Sequence, residues 1–410
     1  MLWLFLRLAF LNLWRHRRRT LLTLTSIACG CAVIMWMQSI IFGRNQNMID
    51  IITSTYTGYL QIYHPDYLKT KLVNKSISED QLQSKIIPQL GNTTWTPRLH
   101  LPTLISSGEE SVPLQLEGID PLREASITHL AHNLKSGEFL TAQDSCVRKE
   151  IYLGEAMADN LHVGLGEKLV VLTQATDGTL GNELFHVQGL FASGSPDFDK
   201  SIAFTHIRCA QDLAALKGYH EIVLKPQDTT AVDHLQSELQ QKIPTFQVTT
   251  WRQAIPSVDT MIRYNDASLK MTIFILFTVI TMGVINTLMM NLFERTKEFG
   301  VILSLGMTPR QLQLLVFLES SLLGLFGILA GTILGAGLVT YYRIVGFDMS
   351  PFFGSSTGTD GFVFDLIIHP IFQWLPYLKV AGWELIFLML AGFYPAWKVS
   401  QMRPVEILRA

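Results

Sequence analysis

Four long apolar runs divide the chain. Residues 20–43 are uncharged, residues 268–293 carry no charge after Lys270 until the run ends, residues 312–343 form a third run, and residues 378–397 a shorter fourth. About twenty residues at about 1.5 Å each cross a hydrocarbon core of about 30 Å, so the pattern predicts four transmembrane helices. Residues 1–19 open with MLWLFLRLAFLNLW, apolar but for Arg7, and read as an interfacial helix with Trp3 and Trp14 at headgroup level.

Residues 44–267 contain no spanning run and many turn residues, which predicts a large folded domain inserted between helices 1 and 2. Short β-branched or aromatic segments predict strands at 58–63, 112–116, 151–153, 168–172, 185–191 and 221–224. Helices are expected at 155–161, 207–215 and 231–242, the last with Val232, Leu235 and Leu239 on one face. The mixture is α+β. Residues 119–218 are read as a segment inserted in the rest, giving two lobes.

Between the second and third runs lies a short insert, residues 294–311, in which Glu294, Arg295, Lys297, Glu298 and Arg310 flank an apolar middle of Phe299, Val301, Ile302, Leu303, Leu305 and Met307. Such a surface buries poorly as a loop. Gly306 supplies a helix stop and Thr308-Pro309 a restart, so a short amphipathic helix offered to a partner is expected, with a helix resting on lipid headgroups as the plainer reading. The third run carries Gly324, Gly327, Gly331 and Gly335, small residues that permit close helix packing within one chain or between two. Residues 344–377 are polar or broken and expected outside, and residues 398–410 form a basic tail.

The cluster Arg15, His16, Arg17, Arg18 and Arg19 precedes the first run and predicts a cytoplasmic N-terminus with an uncleaved first span. Arg295, Lys297, Arg310, Lys398, Arg403 and Arg409 then fall on the same side, and the large domain outside.

Composition agrees: of 410 residues, 48% are hydrophobic and 16% charged, and the mean hydropathy is +0.27, too apolar for a soluble enzyme of this length. A net charge of -2 argues against nucleic-acid binding. No phosphate-cradling G-x-x-x-x-G-K-[ST], H-E-x-x-H, C-x-x-C or G-x-S-x-G motif occurs, so no ATP, metal, redox or serine-hydrolase site is expected in this chain. His64, His100, His132, His162, His186, His206 and His220 lack ligand spacing and read as surface or satisfied core residues. Cys29 and Cys31 read as packing residues. Cys146 and Cys209 lie where oxidation would permit a bridge, but without a distance the reading favours leaving them unpaired. Glu319 and Glu384 stand in apolar context and read as acids satisfied locally, by protonation, snorkelling, or a partner such as Asn286 or Ser320.

Several motifs together carry a resemblance: NLWRHRRRTLLTL at the first span, SGEFLTAQDSCVRKEIYLGEAMADNLHVGLGEKLVVL and VQGLFASGSPDFDKSIAFTHI outside, INTLMMNLFERTKEFGVILSLGMTPRQL at the insert, and YPAWKVSQMRPVEILRA at the end. The chain resembles the MacB/FtsX-like permease superfamily of ABC transporters, and more loosely its lipoprotein-releasing LolC/LolE-type branch. The resemblance implies a multi-pass inner-membrane protein whose outside domain is a MacB-like periplasmic core of two lobes. It further implies a homo- or heterodimer with a second permease subunit. A separate cytoplasmic ABC ATPase, which holds the ATP and magnesium, would be engaged through Glu294, Arg295, Lys297, Glu298, Phe299, Gly300, Val301, Ile302, Leu305 and Gly306. Domain motion would act on cargo at the periplasmic side, a lipoprotein passed to a carrier or adaptor. A MacB-like exporter of peptides, drugs or lipids and an FtsX-type regulator of a periplasmic hydrolase are the alternative roles within the superfamily.

Overall fold

The computed structural model describes residues 2–15, 17–108, 110–142, 146, 148–194, 196–353, 357–359, 362–364 and 367–401. It divides into two compact units, Met1–Gln46 with Ile262–Pro351 and Leu366–Ala410, and Asn47–Met261 with Phe352–Asp365. The tail charges Arg403 and Arg409 and residues 354–356, 360, 361, 365 and 366 of the polar stretch lie outside the described residues.

In the first unit, α1 (Leu2–Arg15) is followed by α2 (Arg17–Ile52), α3 (Pro256–Glu294), α4 (Thr296–Ser304), α5 (Pro309–Val345) and α6 (Trp374–Ser400). Among the described residues, four helices, α2, α3, α5 and α6, are long and apolar enough to cross a membrane. Two of them run beyond the apolar pattern, α2 to Ile52 and α3 from Pro256, while the compact units divide after Gln46 and after Met261. The polar extensions clasp one another: Asn45 donates to Asp266 at 3.1 Å, Asn265 donates to Asn45 at 2.9 Å, and Arg44 donates to Asn265. Hydropathy alone assigns such residues to a soluble domain, because it cannot see a polar helix extension paired to another.

The glycines of α5 pack within this chain. Ile27, Cys31 and Met35 recur every fourth residue on α2 and are buried. They lie against Gly327, Gly331 and Gly335, where an added Cβ would sit 2.6 Å from Ile27 Cγ2, 2.6 Å from Cys31 Cβ and 2.8 Å from Met35 Sδ. At Gly331 the added atom would also stand 2.7 Å from the Ala28 carbonyl oxygen, so the backbones approach closely enough to exclude even alanine. Gly324 faces Leu388 of α6 instead, at 3.3 Å.

The second unit is built on β1 (Leu60–Tyr63), β2 (Thr94–Ser106), β3 (Ser111–Ile119), β4 (Leu134–Gly137), β5 (Glu150–Gly154), β6 (Lys168–Gln174), β7 (Leu180–Phe191), β8 (Ile202–His206), β9 (Glu221–Lys225) and β10 (Gln247–Thr250). The pairings β2–β3, β3–β8, β8–β5, β5–β7, β7–β6 and β6–β2 close into a ring of six strands. Three further strands, β10–β1–β9, continue the same sheet from the first residues of β2. Segment 119–218, read as an insertion, supplies four of the ring strands, and helices Glu155–Leu161, Ile207–Ala214 and Val232–Lys242 stand where their spacing predicts them. This is an α+β domain.

β2, β4, β8 and β10 were not among the expected strands. Pro97 and Pro102 demote β2 by pattern. The structure accommodates Pro102 where one edge of β2 changes partner, from β9 over Thr94 to Arg98 to β6 over Thr103 to Ser106. In that gap the His100 amide donates to His220 Nδ1 at 3.2 Å, the His220 amide donates to the Arg98 carbonyl at 3.0 Å, and Thr173 Oγ1 donates to the Pro102 carbonyl at 2.8 Å. The His220 and Thr173 side chains and the His220 amide thus satisfy backbone groups that a ladder would otherwise pair.

A buried ionic network sits beside this gap. Arg98, 1% exposed, donates to Glu124 through Nε at 3.2 Å and Nη2 at 2.5 Å, and to the Tyr56 carbonyl. His100 bridges Glu117 at 2.5 Å and Glu221 at 3.1 Å. The Tyr56 and Tyr63 hydroxyls donate to Glu117 and Glu221 at 2.8 and 2.5 Å. Burial works against a charged imidazole, yet Glu117 and then Glu221 outweigh it and push the His100 pKa up to about 10. His220, buried and beside that cation, is pushed down to about 4 and stays neutral, donating from Nε2 to the Val73 carbonyl at 2.7 Å. These two histidines therefore belong to a satisfied core, and no group of three or more His, Cys, Asp and Glu side chains suited to a metal occurs among the described residues.

Cys146 and Cys209 form a disulfide with Cα atoms 5.0 Å apart, closing a loop of 63 residues. This corrects the unpaired reading. Sequence separation carries no information about the approach of the Ile207–Ala214 helix to the strand ring.

Candidate functional site

The connection between α3 and α5 is the short helix α4. Its entry is the elbow residue Arg295, and its exit is Gly306, whose φ of +101° suits glycine alone. Thr308 then caps α5 in a capping box with Gln311, and Pro309 takes the first helical position. Local chemistry therefore places a helix between two sharp breaks, as the pattern of Gly306 and Thr308-Pro309 predicts.

The two faces of α4 differ. Phe299, 2% exposed, and Leu303, 9% exposed, enter a cluster with Phe5 and Ala9 of α1, Leu292 of α3, Leu312 and Leu315 of α5 and Val399 of α6. Gly300 is buried beside them, and Ile302 and Met307 are half-buried against the same cluster. Val301, 49% exposed, and Leu305, 82% exposed, point away, in line with exposed Lys297 at four-residue spacing. Phe299 and Ile302, expected among the residues offered outward, are thus committed largely to their own chain. Large apolar residues on both faces of the helix hide this division in the sequence, because the chain's own α1 and α6 supply the cover.

The charges divide likewise. Glu294 and Lys297 are exposed. Arg295 is buried, its Nη1 donating to both carboxylate oxygens of Glu319 at 2.9 and 3.0 Å and its Nε to Glu298 at 3.3 Å. Glu298 also meets Arg15 of α1 at 3.2 Å. The Arg295 guanidinium lies 5.0 Å from the Phe299 ring centre. Glu319 therefore finds its partner in the insert, which corrects the expectation of a local Asn286 or Ser320 partner. Spacing could not reveal it, since 24 residues separate the two side chains.

A short helix thus joins two long apolar helices, and a large folded domain lies in sequence between the first two such helices. The chain belongs to the MacB/FtsX-like family of ABC transporter permeases: residues 20–242 match the MacB-like periplasmic core domain and residues 270–404 the FtsX-like permease C-terminal region. Among its relatives is the lipoprotein-releasing system transmembrane protein LolC of Xylella fastidiosa, 26% identical over 315 residues, 74% of each chain. LolC of Neisseria meningitidis serogroup B is 22% identical over 417 residues, 95% of this chain and 94% of the relative. An uncharacterised ABC transporter permease of Methanocaldococcus jannaschii is 22% identical over 232 residues, 55% of each chain. Membership implies a partner ATPase subunit.

Proposed function

We propose that this chain is the permease subunit of an inner-membrane transporter that uses ATP hydrolysis in a separate ATPase to move its periplasmic domain and release lipoproteins from the membrane. The observation that carries the ATPase contact is the exposed strip Lys297, Val301 and Leu305 on a helix whose opposite face is fixed inside its own chain. Two apolar side chains four residues apart on a rigid helix suit a groove in a partner, whereas a helix lying on lipid would turn its broad apolar face, including Phe299 and Leu303, toward the acyl chains. Lipoprotein as cargo is supported by the LolC relatives, two of which align over most of their length. The disulfide supports an oxidising, periplasmic location for the strand domain.

The test is reconstitution. The purified chain with its co-purifying ATPase, in proteoliposomes carrying an acylated lipoprotein, is expected to release that lipoprotein into the soluble fraction only with ATP and a soluble carrier. Equal release without ATP, or ATP-driven export of a peptide or drug with the lipoprotein left in the membrane, would overturn the assignment of cargo.

A further inference from the structure

We infer that Arg295 is a positioning residue for energy coupling: its buried pairing with Glu319 ties α4 to α5, so that the helix touched by the ATPase and the third span move as one body. This rests on the docking reading above. Arg295 stands at the elbow between α3 and α4, its amide bonded to the Asn291 carbonyl of α3 at 3.2 Å and its carbonyl accepting from the Phe299 amide of α4 at 3.0 Å. One side chain at that elbow reaches α5 through both oxygens of Glu319 and α4 through Glu298, which in turn holds Arg15 of α1. Arg15, Glu298, Arg295 and Glu319 thus form a continuous relay across α1, α4 and α5.

Apolar packing of Phe299 and Leu303 would hold α4 in place but would resist sliding weakly, being non-directional. The Arg295 guanidinium is planar and holds two carboxylates from different atoms, Glu319 through Nη1 and Glu298 through Nε, so its charge-assisted hydrogen bonds fix direction as well as distance. Stability alone does not account for the choice, because well-packed apolar residues commonly serve as well as a buried ion pair. Glu319 lines two small cavities: one of about 10 Å³ walled by Asn12, Thr20, Thr23, Thr287 and Asn291, and one of about 20 Å³ that Arg295 also lines, walled largely by Leu288, Leu292, Phe299 and Val316. The polar walls of the smaller space, beside the Glu319 carboxylate, suit a single water.

The experiment compares Glu319→Gln, Arg295→Lys and the charge-swapped double variant Arg295→Glu with Glu319→Arg, each purified with its ATPase and placed in proteoliposomes with an acylated lipoprotein. The readouts are membrane abundance, ATPase retained, and ATP hydrolysed per lipoprotein released. Glu319→Gln is expected to keep its ATPase and its abundance while ATP consumed per release rises at least tenfold, with partial recovery in the charge-swapped chain. Coupling within twofold of the parent in both single variants would overturn the inference. So would a Glu319→Gln chain that loses its ATPase, since the pair would then shape the docking face. If the single variants are absent from the membrane, the charge-swapped chain decides: abundance restored with coupling also restored supports the linkage, and abundance restored without coupling refutes it. A Leu305→Asp chain that keeps its ATPase counts against the docking reading, whereas normal coupling in Glu319→Gln counts against the Arg295 linkage alone.

Discussion

Leu305→Asp is expected to strip the chain of its ATPase while leaving its abundance in the membrane unchanged. Leu305 is 82% exposed and Val301 49% exposed, so a charge at either costs the isolated chain little. In a desolvated groove the same charge loses its hydration without a partner, and interface anchors of this kind typically contribute about 2 kcal/mol or more, roughly a 30-fold loss of affinity. Val301→Asp should act in the same direction, and the double variant should abolish co-purification. Lys297→Ala, a charge at the rim, should chiefly alter association at low salt. Ile302→Asp is a poorer probe, because Ile302 packs against its own chain and its loss of partner binding would be mixed with loss of packing. Co-purification of the ATPase with each variant, normalised to permease abundance, is the measurement; full retention by Val301→Asp and Leu305→Asp together would remove the strip from the interface.

Arg98→Ala should be the most damaging single change in the strand domain. It leaves Glu124, Glu221 and the Tyr56 carbonyl buried beside an empty site, and removing one partner of a buried ion pair costs about 3 to 5 kcal/mol. Chemical unfolding of the full chain in detergent should show the domain transition at markedly lower denaturant. Lys242→Ala, which breaks an exposed pair with Glu238, should leave that transition in place. The same network predicts an alkaline limit. With its folded pKa raised from 6.5 to about 10, His100 contributes fully below about pH 6.5, and its contribution is lost as pH rises toward 10. An Arg98→Ala chain as stable as the parent would contradict the placing of Arg98 at the centre of this buried network.

Much of this was legible in order of physical scale. Four spans follow from run length, and the strands at 151–153, 168–172 and 221–224 from β-branched composition, because burial on that scale leaves a local imprint. β2 was hidden because Pro97 and Pro102 look like breakers, and the tolerance of Pro102 depends on a change of partner strand that only the fold contains. In the insert, helix and breaks were legible from Gly306 and Thr308-Pro309, but the choice of face was not. Phe299 and Leu305 are both large and apolar; what separates them is the cover supplied by Phe5, Ala9 and Val399, distant in sequence. Arg295 and Glu319 could be recognised one by one as a polar insert residue and an acid in a span. Their pairing, like that of Cys146 with Cys209, depends on the path of the intervening chain.

The most direct measurement is photocrosslinking from the two sides of α4 in intact cells. A photoreactive amino acid at position 305 should join the permease to a cytoplasmic nucleotide-binding protein, identified by mass spectrometry, while the same group at position 299 should yield only crosslinks within the permease. Crosslinks from position 305 to lipid alone, or to the ATPase from position 299 and not from 305, would contradict the account.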